Sequence, residues 1–252
     1  MKNRSSEVIV AVAGQPNSGK STIFNMLTGA RQHVANYPGI TVEKRTGRYG
    51  YKEDTVTLVD LPGTYSLTSY SPEERIARDF LLHEKPIIIL DIVDASNLER
   101  NLYLTFQLAE MGIPLVIALN MMDVAENRGF EIDKNKLSEL LGVPVVPTVG
   151  SKGRGKKELK EAILNTYKSD HFQTDYGEAC KGCGACLGMS REKGSFRVDY
   201  GEKLEPILSS FEKRLSDDPE LSLRYPARWL SVKLMEGDSE AHRLVESLKR
   251  GE

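Results

Sequence analysis

The 252-residue chain predicts an α/β fold with a mostly parallel six-stranded sheet, followed by a small all-helical domain. Three observations carry that expectation. A β-branched run, Val8-Ile9-Val10-Ala11-Val12-Ala13, leads directly into a glycine-rich turn and then a helical stretch. Buried-type strands and amphipathic helices alternate up to about residue 169, the pattern of βαβ units with helices on both sheet faces. Beyond that point strand signals stop and apolar residues recur at helical spacing.

Composition bounds the function. The net charge of −2 and the 28% of charged residues argue against disorder and against a strongly basic nucleic-acid surface. Lys+Arg against Asp+Glu is 21 to 20 for residues 1–169 and 13 to 16 for residues 170–252, so neither part is polybasic. The longest apolar runs, near 87–93 and 113–122, are broken by Asp91 and Asn120 and fall short of the ~20 residues that span a bilayer. No transmembrane helix is expected, and the N-terminus leads into a strand rather than a signal-peptide core. Three cysteines, an odd number, do not make a disulfide framework, which places the chain in a reducing cytoplasm.

The first strand ends on Gly14-Gln15-Pro16-Asn17-Ser18-Gly19-Lys20-Ser21, which reads as a P-loop because strand, loop and helix come in the required order. Gly14, Asn17, Ser18 and Gly19 offer successive backbone N–H groups to a polyphosphate. The helix through Ser21 and Thr22 aims its positive end at the same anion. Lys20 is placed to reach the β- and γ-phosphates and the Ser21 hydroxyl to bind Mg²⁺. Residues 29–45 follow as a long polar connection, expected to be a mobile ligand-sensing loop.

Two strands, about 42–51 and 55–60, are joined by a Lys52-Glu53-Asp54 turn, and the second ends on Asp60-Leu61-Pro62-Gly63. Ser71 at N-cap and Pro72 at N1 open a helix through Leu82. A buried strand (86–93), an amphipathic helix (96–111), a second buried strand (113–120), a helix (133–141), a strand (143–147) and a helix (156–168) complete this part. Asn120-Met121-Met122-Asp123 falls at the carboxyl end of a strand, where open α/β sheets bind nucleotides. A carboxylate at Asp123 accepts hydrogen bonds from the guanine ring N–H and exocyclic amine, which adenine cannot offer, so it selects GTP over ATP. Val149-Gly150-Ser151-Lys152, after the last strand, fits the backbone loop that covers the base.

Past residue 169, Leu204, Ile207, Leu208, Phe211 and Leu215 are spaced as a buried helical stripe, with Pro206 in its first turn. Further helices are expected over 226–236, stopped by Gly237, and from the Asp238 cap to 249. The domains are therefore 1–169, nucleotide-binding, and 170–252, helical, with a Cys-rich insert at 180–186. Cys180, Cys183 and Cys186 have the spacing to converge on zinc or an iron–sulfur cluster. Ser190 and Arg191 stand where a ferredoxin run has Cys and Pro. A fourth ligand would come from His171, Asp175, Glu178, a second chain or an exogenous group; the alternative is reactive or incidental thiols.

These segments, with Asn36-Tyr37-Pro38-Gly39-Ile40-Thr41-Val42-Glu43, Tyr70-Ser71-Pro72-Glu73-Glu74, Asp94-Ala95-Ser96-Asn97 and Arg224-Tyr225-Pro226-Ala227-Arg228-Trp229, resemble a Ras-like GTPase. More closely, they resemble the cytosolic G-domain and helical GDI-like domain of the ferrous-iron transport protein B family. The resemblance implies that Thr41 binds Mg²⁺ and senses the γ-phosphate, that Asp60 holds the Mg²⁺ water shell, and that the Gly63 N–H meets the γ-phosphate. It implies that Asn17 helps coordinate K⁺ beside the phosphates, which makes Lys20, Thr41, Gly63 and Asn17 the catalytic set. Thr64 stands where Ras-like enzymes carry a water-orienting glutamine, so hydrolysis is expected to be slow, ~10⁻⁴ to 10⁻² s⁻¹. Glu73 and Glu74 could orient the water, or form a charged helical turn facing solvent. Gln15 replaces the family's usual Asn, with little effect expected.

The resemblance further implies a helical domain that slows GDP release and relays nucleotide state to a membrane pore lying beyond residue 252, on the cytoplasmic side of a bacterial inner membrane. Implied partners are guanine nucleotide, the membrane-spanning part of the same transporter, a second copy or small cytosolic accessory transport proteins, and no nucleic acid. Two alternatives stand beside it. A free-standing K⁺-stimulated GTPase of the ribosome-assembly or RNA-modification type would need a basic module, against which the acidic 170–252 balance speaks. The other is a nucleotide-gated regulatory module with negligible turnover.

Overall fold

Seven strands form one sheet in the order β2-β3-β4-β1-β5-β6-β7. They are β1 Glu7–Gly14, β2 Gln32–Asn36, β3 Glu43–Tyr51, β4 Asp54–Asp60, β5 Ile88–Asp94, β6 Leu115–Asn120 and β7 Val145–Pro147. The computed structural model describes residues 7–29, 32–37, 42–68, 70–169 and 197–250. Strands β4, β1, β5, β6 and β7 are parallel, and β2 and β3 add an antiparallel edge. The seventh strand corrects the expectation of six and of an open loop over 29–45. Gln-His-Val-Ala-Asn carries no buried alternation, and four of its five residues are exposed. Backbone pairing with β3, from Gln32 opposite Gly47 to Asn36 opposite Glu43, makes the strand.

Helices cover both faces. On one, α1 (Lys20–Thr28) and α6 (Lys156–Lys168) set Ile23, Phe24, Leu27, Leu159 and Ile163 against Val10, Val12, Leu58, Leu90 and Ile92. On the other, α2 (Pro72–His83) and α3 (Leu98–Glu110) bring Phe80, Leu81, Leu104 and Leu108 onto Ala11, Val59, Ile89 and Ile117. Strand β6 is buried on both faces, which is why it reads as a continuous apolar run. Two shorter helices, α4 (Met122–Asn127) and α5 (Lys134–Leu141), close the β6 and β7 connections. Helix α4 was not anticipated, because its start depends on Met121 taking a left-handed φ of 59°, for which methionine carries no signal.

The C-terminal helices are α7 (Glu205–Ser216), α8 (Pro219–Arg224), α9 (Ala227–Met235) and α10 (Ser239–Arg250). Helix α8 is short and was not foreseen, although Asp218 accepts from Glu220 N–H (3.0 Å) and Leu221 N–H (3.1 Å) ahead of Pro219, a full start signal. Leu215, Leu221, Tyr225, Trp229, Leu230 and Ala241 belong to the same apolar cluster as α2 and α3, so the helical part is seated on that face of the sheet. The stripe on α7 is narrower than expected. Leu208 and Leu215 are buried, whereas Leu204, Ile207 and Phe211 are exposed. Glu205 and Glu212, on the flank of α7 beside Leu208 and Leu215, pair instead with Arg228.

Candidate functional site

The P-loop joins β1 to α1 through backbone that few residues tolerate. At Gly14 a Cβ would come within 2.7 Å of the Ile92 carbonyl oxygen, and at Gly19, with φ 86°, within 2.2 Å of Asn120 Nδ2. Between them Asn17 takes φ 67°, a left-handed conformation that Asn accepts more readily than most side chains, and presents its amide to solvent. Ser18 is buried, and its Oγ has no hydrogen-bond partner among the described residues. Gln15 is also buried and donates from Nε2 to the Arg100 carbonyl at 2.6 Å. Its side chain thereby ties the loop to the first turn of α3.

Asn120 is the pivot. Its Nδ2 donates to the Ser18 carbonyl at 2.9 Å, and its Oδ1 accepts from Gly150 N–H at 3.0 Å and Thr148 Oγ1 at 3.3 Å. One buried amide therefore joins the P-loop to the loop after β7. Val149, Gly150 and Ser151 lie there in a short 3₁₀ turn, Gly150–Lys152, closed by the bridge from Val149 to Arg154. Asp123 stands in the first turn of α4, where its Oδ1 accepts from Val124 N–H and its Oδ2 pairs with Lys152 Nζ at 2.7 Å. The Lys152 hydrogen bond holds the carboxyl below its ordinary range. Lys152 as its partner was not anticipated; the sequence placed it only in the covering loop.

At the other end, Lys20 Nζ lies 2.5 Å from Asp60 Oδ1. Both line a cleft of about 310 Å³ with Ser21, Glu43, Arg45, Leu61 and Pro62. Burial raises the Asp60 carboxyl, and Lys20 and Arg45 oppose that rise. Arg45 is a cleft residue that sequence reasoning missed; the antiparallel register, which sets it opposite Asp60, was the only signal. Gly63 packs beside Pro16, and Thr64 N–H donates to the Gly14 carbonyl at 3.3 Å, so the chain after Asp60 lies against the P-loop.

Thr64 is buried and gives its hydroxyl to the Ser66 carbonyl at 2.5 Å. Glu74 is no free solvent-facing charge. It forms a capping box with Ser71 and accepts from Ser66 Oγ (2.8 Å) and Thr68 Oγ1 (2.5 Å), which pins this loop to the start of α2. Glu73 is exposed. The structure thus gathers Gly14, Asn17, Ser18, Gly19, Lys20, Ser21, Thr22, Asp60, Gly63, Asn120, Asp123, Val149, Gly150 and Ser151 at the carboxyl edge of the parallel strands, where such sheets bind ligands. Thr41 and Cys180, Cys183 and Cys186 lie outside the described residues. Among the described residues no group of three or more His, Cys, Asp or Glu is placed to hold a metal.

Residues 8–163 match the family model described as ferrous iron transport protein B, and residues 200–251 match the FeoB cytosolic helical domain. The chain belongs to the FeoB family. It is 41% identical over 243 residues to an Fe(2+) transport protein A/Fe(2+) transporter FeoB fusion protein of Porphyromonas gingivalis, covering 96% of this chain and 26% of that protein. It is also 41% identical over 239 residues to the Fe(2+) transporter FeoB of Escherichia coli K12, covering 92% of this chain and 27% of that protein. The chain therefore spans about a quarter of the length of the FeoB relatives it matches. The cytosolic domain of T. maritima FeoB, solved in apo, GDP and GMPPNP forms, superposes with TM-scores of 0.81, 0.80 and 0.79. At 37–38% identity those forms cover 97–98% of this chain and 86–87% of theirs. Among the described residues no helix is long and apolar enough to cross a membrane.

Proposed function

We propose that this chain is the cytosolic, GTP-binding and slowly GTP-hydrolysing part of a ferrous-iron membrane transporter of the FeoB family. Residues 1–169 would form the nucleotide domain and 170–252 a helical domain that slows GDP release and relays nucleotide state to a membrane-spanning part of the same protein. The observation that carries this reading is the Asn120 bridge. A single side chain ties a phosphate-binding loop to the Gly150 turn, and Lys152 of that turn pairs with the Asp123 carboxylate. The GDP and GMPPNP forms of the T. maritima cytosolic domain support it.

The groups present suit Mg²⁺. Ser21 and Asp60 offer hard oxygen donors in one cleft, and Thr41 would add a third; the ion, when bound, neutralises charge on the β- and γ-phosphates. The exposed Asn17 amide beside the loop suits K⁺ at the phosphates. With nucleotide bound, Lys20 would turn from Asp60 to phosphate oxygens, leaving the Asp60 carboxylate free to help hold Mg²⁺. The Gly63 N–H would face the γ-phosphate, while Thr64 spends its hydroxyl proton on Ser66, in keeping with slow turnover. Asp123 reads guanine under the cover of Val149, Gly150 and Ser151.

The reading places the chain on the cytoplasmic side of a bacterial inner membrane, with small accessory transport proteins or a second copy as further partners. Calorimetry on the purified chain tests it. GTP and GDP should bind with Mg²⁺ at least ~100-fold more tightly than ATP. Equal affinity for ATP, or no binding, would sink the proposal.

A further inference from the structure

We infer that Gln107 is a positioning residue that joins the segment after Gly63 to the helical domain, through Glu110 one turn further along α3. This rests on the function proposed above and names how its nucleotide site is regulated. Gln107 is 8% exposed and takes the Leu67 N–H on its Oε1 at 2.6 Å. Leu67 is itself buried and lies between Ser66 and Thr68, both of which are gripped by Glu74. The Leu67 bond therefore reports any displacement of the chain that begins at Asp60.

Glu110, 5% exposed, lies three residues on and shares that helix face. Its Oε2 accepts from Arg228 Nε at 3.2 Å, and Arg228 also donates from Nη2 to Glu205 Oε1 at 2.6 Å and to the Val198 carbonyl at 2.9 Å. Arg228 thus ties α3 to α7 and to the chain entering the helical domain. Two acceptors one turn apart on one helix thus hold the segment after Gly63 and the helical domain, one each.

The joint also carries spare hydrogen-bonding capacity. Gln107 Nε2 and Trp229 Nε1 are both buried donors with no partner among the described residues, and α9 touches α3 at this place. Buried donors without acceptors destabilise the arrangement that holds them. A shift of Leu67 frees Gln107 to rotate, and the turn of α3 that Gln107 shares with Glu110 carries that change to Arg228. The second tie, Arg78 Nη2 to Glu240 Oε1 at 2.9 Å, links α2 to α10 and involves neither Gln107 nor Glu110.

The test is a double-mutant cycle on two residues that are not hydrogen-bonded to each other, Gln107→Leu and Arg228→Lys, read as the dissociation rate of a fluorescent GDP analogue from the whole chain. Each single variant should speed release severalfold. The double variant should be slower than the product of the two effects by a factor of three or more. Multiplicative effects overturn the inference while leaving GTP binding intact; failure of the wild-type chain to bind the analogue brings down both. Where Arg228→Lys does not fold, Glu110→Gln takes its place in the cycle. Hydrogen exchange over 227–235 gives a second readout: exchange that differs between GDP and GMPPNP in the wild type should lose that difference in Gln107→Leu. A difference that persists in the variant also overturns the inference.

Discussion

The residues proposed to grip a nucleotide differ in how replaceable they are. Asp123 is the group to test for base choice, because its carboxylate is held ionised by Lys152 and stands beside the covering loop. Asp123→Asn should cost about 100-fold in GTP affinity, ~3 kcal/mol for two charge-assisted hydrogen bonds, and shift preference towards xanthine nucleotides, which present the complementary carbonyl. Unchanged GTP binding in a competition assay refutes the assignment. That these residues would meet at one edge of the sheet was legible in the sequence, because each belongs to a short motif placed at the end of a strand. Arg45 and Lys152 were not legible as partners of Asp60 and Asp123. Their positions depend on strand register and on a 3₁₀ turn, neither of which a motif records. Gln107 had no signal at all: a polar residue within an amphipathic helix looks like part of its solvent face until the fold buries it.

At the scale of single elements, local rules worked where capping or burial decides the outcome and failed where neighbours do. Helix α2 was read correctly from Ser71 and Pro72, and its capping box is present. Glu74→Ala removes the reciprocal cap together with the bonds to Ser66 and Thr68, and should cost about 1–2 kcal/mol in urea denaturation; a change under ~0.5 kcal/mol would mean that the loop holds itself. Strand β2 and the narrow seam on α7 were misread because pairing with β3 and the pull of Arg228 on Glu205 and Glu212 lie outside any local window. Strand β5 carries a pH-sensitive group. Asp91 is buried with Thr105 Oγ1 at 2.6 Å as its donor, and burial pushes its carboxyl up to about 7 from an ordinary 3.8. A raised acid favours its protonated form, so this contribution to stability is complete below pH ~4 and is lost as pH rises through about 7. Asp91→Asn should therefore unfold at higher urea than wild type at pH 8, with the gap closing at pH 5. Parallel pH profiles for the two proteins would rule out the assignment.

Across the whole molecule, the helical domain is seated on one face of the sheet by apolar packing around Trp229 and by two ion pairs, Arg228 with Glu110 and Arg78 with Glu240. Arg78 is 3% exposed, so Arg78→Met should loosen α10 more than an ordinary surface change, by about 1–3 kcal/mol. Faster proteolysis within 239–250, with nucleotide affinity nearly unchanged, is the expected result; wild-type resistance would show that apolar packing alone seats the helix. The two-part layout was foreseen from the end of the strand signals near residue 169. Which face receives the helices was not, since neither part of the sequence marks its partner. That choice of face divides labour across the sheet: α1, which bears Lys20 and Ser21, lies on the opposite side and shares no apolar cluster with the helices. Strain applied to the C-terminal helices would be met first by α2 and α3, through Arg78 and Arg228, rather than by α1. An effector acting there would set the tempo at which guanine nucleotides come and go, and would leave untouched which purine the molecule admits.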